Sequence, residues 1–228
     1  METNIKLLKL FNKLNYGVYS YNCSCLPGKF QNSEYNIFFN FMLAHKDIED
    51  RIFYTNSLIQ KFWSQWQQMQ KERTQKPESL TVADIVNSQY NLLFHYYTGR
   101  DLVMNLKKIT DECIVLYCIA SKKYCNDGTP LEDIGDYINQ YEKFKDLNAD
   151  LDFLKILNKL ANACKHSLIS ENNKVGKDEP CIYAYETKKD KSGEHLYLLD
   201  DFGYTLNSLV EQFNTFYTNF QNLLNTIK

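Results

Sequence analysis

Arginine is scarce in this chain. Of the 26 basic residues among 228, only Arg51, Arg73 and Arg100 are arginines, and the rest are lysines. The 28 acidic residues leave a formal net charge of −2, which excludes a protein that coats nucleic acid through overall positive charge. A local basic site stays compatible with this balance, because a few clustered cations suffice to hold a phosphate. Lysine would supply most of the charge of such a site.

The chain also lacks a long apolar run. No stretch approaches about eighteen apolar residues, so we expect no membrane span. The most apolar segment, residues 113–120, is short enough to predict a buried helix segment instead. The start of the chain has no basic region followed by an apolar run, so we expect no signal peptide.

Paired cysteines are missing as well. The seven cysteines form an odd set without a CxxC motif. Cys23 and Cys25 are close in sequence, but no histidine or second cysteine pair stands at ligand spacing. This usage favours a reduced, cytoplasmic protein with neither a disulfide framework nor a metal site.

Familiar catalytic and cofactor-binding motifs are absent. The sequence contains no GxxxxGKS/T, GxGxxG, HExxH, GxSxG or EF-hand pattern, and no Glu-x-x-His motifs for a di-iron bundle. Asp200 and Asp201 are adjacent, and their side chains would point in different directions. We therefore expect no cofactor, and we do not expect a carboxylate pair to carry the chemistry.

Apolar residues recur at threes and fours over most of the chain, which predicts helices. The predicted helices cover residues 4–14, 33–73, 81–124, 131–144, 151–168 and 205–227, with an interruption or kink at residues 98–101. Ser33 is the predicted N-cap of the second helix, and Pro77 follows its end. His45 falls within the apolar series of that helix, which favours a hydrogen-bonded core histidine over a ligand.

Two short aromatic-rich runs flank residues 188–193 and predict a β-hairpin over residues 181–199. Neither repeats nor an interdomain linker interrupt the pattern. We therefore predict a single domain over residues 1–228. Its fold class is all-α (mainly α): an up-and-down bundle of five to six helices, with a small β-hairpin before the C-terminal helix.

The helix over residues 151–168 has the most unusual polar face. At about 100° per residue, its leucines, Ala161 and Cys164 fall on one broad side. The polar residues share a narrow arc on the other side or flank it: Lys155, Lys159, Asn162 and His166 in the arc, and Asn158 and Lys165 beside it. Such a face is often only solvated surface. It is also the one place where an imidazole, amides and several ammonium groups come together.

The Asn162-Ala-Cys-Lys-His166 stretch, followed by a hairpin and a final helix, resembles the HEPN superfamily. These are small helical domains, many of them toxin or phage-defence ribonucleases, and others nucleotide-binding or structural partners. The family signature is R-x4-6-H, commonly with a polar residue directly after the arginine, and in its R-N-x-x-x-H form the asparagine and histidine correspond to Asn162 and His166. The arginine would precede Asn162, where this chain has Ala161.

The resemblance implies a homodimer whose arginine and histidine act on the RNA backbone. Imidazole exchanges a proton near neutral pH, and a cation holds the phosphate. Lys159 and Lys165 are the local substitutes for the arginine, because Arg100 is remote in sequence.

Three hypotheses follow. The first is a non-catalytic or degenerate HEPN-like component of a defence or toxin–antitoxin-type system that binds RNA, nucleotide or a protein, such as an antitoxin or nucleotidyltransferase. The second is a metal-independent endoribonuclease with His166 as acid and base, Asn162 orienting it, and Lys159 or Lys165 on the phosphate. Lys155, Lys165 and Asn158 are the predicted binding residues. The third is a purely structural bundle.

Overall fold

The computed structural model describes residues 5–9, 34–36, 39–74, 81–125, 128–165, 178–189 and 195–227. Within these ranges there are six α-helices and two small antiparallel sheets. The helices are α1 (Phe41–Arg73), α2 (Val82–Ser121), α3 (Ile134–Asn139), α4 (Tyr141–Phe144), α5 (Leu151–Lys165) and α6 (Leu206–Thr226). The strands are β1 (Glu34–Asn36), β2 (Phe39–Asn40), β3 (Cys181–Lys189) and β4 (His195–Thr205). The predicted mainly α fold, with a hairpin before the C-terminal helix, is confirmed.

The beginning of the chain differs from the prediction of a helix over residues 4–14. Residues 5–9 have no regular secondary structure. Their backbone bonds instead to asparagine side chains of α6. The Lys6 N–H donates to Asn207 Oδ1 at 3.2 Å, and the Lys9 N–H donates to Asn214 Oδ1 at 2.7 Å. These bonds satisfy the two backbone donors without a helix, in which only the Lys9 N–H would have had an internal partner.

The helix predicted from Ser33 begins later, at Phe41. Two short strands precede it, with Glu34 paired to Asn40 and Asn36 paired to Phe39. The predicted N-cap, Ser33, lies outside the described residues. The prediction of a helix was therefore wrong for residues 34–36 and 39–40. The backbone groups of these residues pair between two strands instead.

Helix α2 runs continuously through residues 98–101, so the predicted interruption there was wrong. Thr98 Oγ1 donates to the Phe94 carbonyl oxygen at 2.7 Å, which keeps its hydroxyl satisfied along the helix. Gly99 serves close packing: a Cβ there would lie 2.9 Å from Phe62 Cε2 on α1 and 3.6 Å from Ile182 Cγ1 on β3. The glycine thus permits a close approach of three elements rather than breaking the helix.

Two short helices and a 3-10 turn (Lys145–Leu147) replace the single helix predicted over residues 131–144. Asp133 caps α3 by accepting from the Asp136 N–H at 3.0 Å, and Asp111 of α2 accepts from the Ile134 N–H at 2.9 Å. The buried Lys107 ammonium lies 2.8 Å from Asp111 and 3.6 Å from Asp133. One ammonium therefore pairs both carboxylates that hold the start of α3.

The hairpin predicted over residues 181–199 is present, and its second strand extends to Thr205. Its register places Ala184 opposite Phe202 and Tyr183 opposite Gly203. A Cβ at Gly203 would overlap the Tyr183 ring. Helix α6 follows β4 directly, and Thr205 Oγ1 accepts from the Ser208 N–H at 3.4 Å as its cap.

The described residues group into two compact units. Unit 1 lies within Met1–Leu7, Asn56–Met104 and Lys159–Val210, and unit 2 within Leu8–Thr55, Asn105–Asn158 and Glu211–Lys228. Each has an apolar core. The core of unit 1 includes Ile59, Phe62, Leu102, Leu160, Ile182 and Leu209; that of unit 2 includes Ile48, Ile52, Ile109, Tyr137, Leu157 and Phe213. The single domain over residues 1–228 stays a prediction.

The apolar run at residues 113–120 is a buried part of α2, as predicted. Cys113, Ile114 and Cys118 have no exposed surface, and burial raises the pKa of the Cys118 thiol to about 11. The cysteines in the described ranges are free thiols. No described helix combines the length and apolarity needed to cross a membrane.

Candidate nucleic-acid interface

The polar face predicted for the helix over residues 151–168 is carried by α5, which ends at Lys165 in the described part of the chain. Asp150 begins this helix by accepting from the N–H groups of Asp152 and Phe153 at 2.9 and 3.2 Å. The predicted apolar side is buried: Leu154, Leu157, Leu160, Ala161 and Cys164 are at most 1% exposed. Lys159, Asn162 and Lys165 are exposed. We call these three residues the α5 polar face.

The other two predicted binding residues have different surroundings. Lys155 is exposed and lies 4.0 Å from Asp152, one turn before it on α5. Both side chains are solvated, so this pair contributes little to stability. Asn158 is half-buried, and its Nδ2 would lie 3.9 Å from a Cβ at Gly135 of α3. Its amide therefore lies beside α3 and is less accessible than the residues of the α5 polar face.

His166 lies just beyond Lys165, outside the described residues. Its predicted acid and base role stays a prediction. The described residue that it follows, Lys165, stands in the last turn of α5, where a cation interacts favourably with the helix dipole.

Lys159 contacts an aromatic ring of the hairpin. Its Nζ lies 4.4 Å from the centroid of the Phe202 ring on β4, within the range of a cation–π interaction. Phe202 is half-buried, so part of its ring faces solvent. This pair places an aromatic ring and an ammonium side by side, the combination that single-stranded nucleic-acid sites use for bases and phosphates.

A cation that sequence spacing did not predict lies near the buried side of α5, at Cys164. Burial raises the pKa of the Cys164 thiol to about 12; the Arg100 guanidinium of α2 opposes that rise, and Asp101 adds to it. Arg100 therefore lies close enough to Cys164 to interact with it electrostatically. It is half-buried, so its planar fork is held more firmly than the exposed lysines.

Sequence spacing treated Arg100 as too remote for this site. Arg100 is far from α5 along the chain, but in the folded chain it lies near Cys164. The glycine beside it gives no signal of this proximity, because the side chains closest to Gly99 belong to α1 and β3 and not to α5. Gly99 marks the point where α2 meets Phe62 and Ile182, and Arg100 is the next residue.

The two described histidine side chains lie elsewhere, and both are buried. His45 is a hydrogen-bonded core residue, as predicted: its Nε2 lies 2.9 Å from Gln221 Nε2, which also donates to the Tyr217 hydroxyl. Tyr217 in turn donates to Glu49. His95, which sequence reasoning passed over, stacks on Phe62 with ring centroids 3.9 Å apart. Burial lowers the pKa of each imidazole to about 4.

The chemistry available around the last turn of α5 is that of anion binding. The α5 polar face offers two ammonium groups and an amide, and Phe202 adds an aromatic ring beside Lys159. No group of three or more acidic, histidine or cysteine side chains in the described ranges is placed to hold a metal ion. Searches against protein-family models, curated proteins and solved structures gave no match to this chain.

Proposed function

We propose that this chain is a HEPN-like helical protein that binds RNA or nucleotide phosphate groups at the α5 polar face, as a component of a defence or toxin–antitoxin-type system. The observation that supports the proposal is the Lys159–Phe202 contact, which places an exposed ammonium beside an aromatic ring. The motif arginine is absent at Ala161, and Arg100 of α2 lies near Cys164 on the buried side of the helix.

The division of labour follows from side-chain chemistry. An ammonium acts as a point charge toward phosphate oxygens. Lys159 and Lys165 would attract neighbouring phosphates. Asn162 can donate to a phosphate oxygen or accept from a sugar hydroxyl. The Phe202 ring offers a stacking surface for a base.

The test is binding of a labelled single-stranded RNA to the full chain, followed by fluorescence anisotropy at several salt concentrations. We expect Lys159→Ala to weaken binding about tenfold and to reduce the slope of log affinity against log salt by about one. Arg73→Ala is the control, because Arg73 is an exposed cation at the end of α1. Equal binding by both variants, or no binding by the unmodified chain, would contradict the proposal.

A second candidate is a metal-independent endoribonuclease, and the same exposed ammonium favours it. In that reaction the ribose 2′-oxygen attacks phosphorus, and the 5′-oxygen leaves. His166 would take the 2′-hydroxyl proton and return a proton to the leaving oxygen. Lys159 or Lys165 would stabilise the charge of the transition state, and Asn162 would orient the imidazole.

Cleavage separates the two candidates. An RNA substrate is incubated with the chain in the presence of a chelator, and His166→Ala is compared with Arg73→Ala. Cleavage that His166→Ala abolishes supports the ribonuclease. Binding without cleavage supports the binding component. If neither occurs, the α5 polar face is solvated surface of a structural bundle, and partner proteins such as an antitoxin or nucleotidyltransferase become the next object of search.

A further inference from the structure

The start of α2 has its polar side chains on the side of the helix that becomes buried further along. At about 100° per residue, four polar residues share this side: Asp84, Asn87, Ser88 and Asn91. The same side then carries His95 and Leu102, which are buried. Val82 and Leu93 lie on the opposite side and are 79 and 43% exposed. The usual amphipathic arrangement is therefore reversed over residues 82–91.

The reversed part of α2 borders a cleft within unit 1, between the end of α1 and the start of α2. The volume of the cleft is about 910 Å³, and small-molecule sites usually measure about 300–1,000 Å³. Carboxamides and aromatic rings contribute to its lining: Gln68, Asn87, Gln89, Asn91, Tyr90 and Phe94. Tightly packed helices would fill such a space with apolar side chains. The polar lining indicates a ligand that forms many hydrogen bonds.

Glu72 of α1 is bonded from both helices that line the cleft. Its Oε1 accepts from Gln68 Nε2 at 3.0 Å and from Asn91 Nδ2 of α2 at 2.7 Å. Its Oε2 is buried and has no hydrogen-bond partner among the described residues. An unsatisfied carboxylate oxygen is costly. Because the terminal torsion of a glutamate is broad, this oxygen can turn to accept from a hydroxyl in the cleft.

The charges around the cleft disfavour an anion. The carboxylates of Glu72 and Asp84 line it together with one guanidinium, that of Arg73. A phosphate would therefore meet net negative charge here, unlike at the α5 polar face. An ammonium ligand fits poorly for another reason: it only donates hydrogen bonds, so it would leave the N–H donors of the carboxamides unused. An uncharged ligand with groups that both donate and accept matches this lining best.

We propose that this cleft binds a neutral sugar. Sugar hydroxyls both donate and accept, which matches the carboxamides of Asn87 and Gln89 and the carboxylate of Glu72. The C–H groups on one face of a sugar ring form an apolar surface that packs on aromatic rings. Tyr90 and Phe94 offer such rings: their centroids are 6.5 Å apart, their planes are 27° apart, and each side chain is 55% exposed. This inference does not depend on phosphate binding at the α5 polar face.

Saturation-transfer difference NMR of the full chain with free sugars tests the site. The probes are glucose, galactose, mannose, N-acetylglucosamine, maltose and lactose, each at up to about 10 mM, which fills most of a site whose Kd is about 1 mM. Adenosine and spermidine are the comparison ligands. We expect at least one sugar to bind, with the strongest transfer to the C–H protons of one ring face, because these would lie on Tyr90 and Phe94.

Two pairs of variants locate the binding. Phe94→Ala should weaken it about tenfold, because an aromatic surface is lost; Phe53→Ala is the matched control, since Phe53 is 54% exposed on α1. Asn87→Ala should weaken binding about three- to tenfold through the loss of a hydrogen bond; Asn139→Ala, at an exposed asparagine that ends α3, is its control. Circular dichroism should show unchanged helix content in all four variants.

Three results would each overturn the proposal. The first is that none of the six sugars binds. The second is that adenosine or spermidine binds and the sugars do not. The third is that Phe94→Ala and Asn87→Ala bind sugar as well as their controls do.

Discussion

The Lys159 ammonium lies 4.4 Å from the centroid of the Phe202 ring, which joins the last turns of α5 to strand β4. The pair gives an exposed cation a preferred position beside an aromatic ring. A phosphate would therefore meet an ammonium that is already placed beside an aromatic surface.

This contact should be measurable as a coupling energy. We expect a double-mutant cycle of Lys159→Met and Phe202→Leu to give about 0.5–1 kcal/mol, the usual value for a cation–π pair at an exposed site. Urea unfolding of the unmodified chain, the two single variants and the double variant supplies the four free energies. A coupling energy indistinguishable from zero would mean that the two side chains do not interact in solution.

Stability should fall as the pH falls below about 6.5. Burial lowers the pKa of His45 and of His95 from 6.5 to about 4, so the folded chain binds fewer protons than the unfolded chain in this window. The stability that depends on neutral imidazoles is complete above pH 6.5 and is lost as the pH approaches 4. Each histidine accounts for about 3 kcal/mol across the whole range.

Unfolding free energies measured between pH 7.5 and about 5 would check this expectation, since ordinary carboxylates titrate mainly below that range. The double variant His45→Leu and His95→Leu is the control and should show a much flatter dependence. An unmodified chain equally stable at both ends of the range would contradict the burial of neutral imidazoles.

Replacing the two histidines one at a time should have opposite effects at neutral pH. Neither ring nitrogen of His95 makes a hydrogen bond of good geometry, although the Phe62 backbone lies close enough to favour the charged imidazole, so His95→Leu removes two poorly satisfied buried polar atoms and is expected to stabilise by about 1 kcal/mol. His45→Leu takes an acceptor from Gln221 and should destabilise by about 1–3 kcal/mol. Thermal unfolding of the two variants gives the comparison, and destabilisation by both would show that the His95 ring contributes more through stacking on Phe62 than its poorly satisfied nitrogens cost.

Adding one methyl group at Gly99 should disturb the junction of α1, α2 and β3. Alanine normally favours a helix over glycine by about 1 kcal/mol. Here its Cβ would lie 2.9 Å from the Phe62 ring, so we expect Gly99→Ala to destabilise by about 1–3 kcal/mol instead. The same substitution in a Phe62→Leu background should cost less, because the smaller side chain yields space. Urea unfolding of the four proteins measures both effects.

The helices with strong apolar periods could be predicted from the sequence, and their ends and connections could not. The stripe of α6 and the buried side of α5 matched the 3.6-residue period, since burial on one side leaves that pattern in the residue order. The first residues of the chain also carry that period, yet residues 5–9 bond to Asn207 and Asn214 instead. Such partners are distant in sequence, and local periodicity contains no information about them.

The candidate site, like the fold, could be predicted only in part from the sequence. The exposure of Lys159, Asn162 and Lys165 follows from their place on α5, and sequence spacing identified them. The positions of Arg100 and Phe202 depend on how α2 and β4 pack around that helix. The family motif is interrupted at Ala161, and the fold places Arg100 near Cys164, on the buried side of the same helix.

Gly203 of β4 affects the contact between Lys159 and its neighbour Phe202. Because side chains alternate between the two sides of a strand, a slip of one residue would turn Phe202 to the opposite face of the hairpin. The Tyr183 ring occupies the space above Gly203, and neither Phe202 nor Tyr204 could take that position without a clash. The absence of a side chain at Gly203 therefore fixes the register of β3 against β4. It determines on which face of the hairpin Lys159 finds its aromatic neighbour.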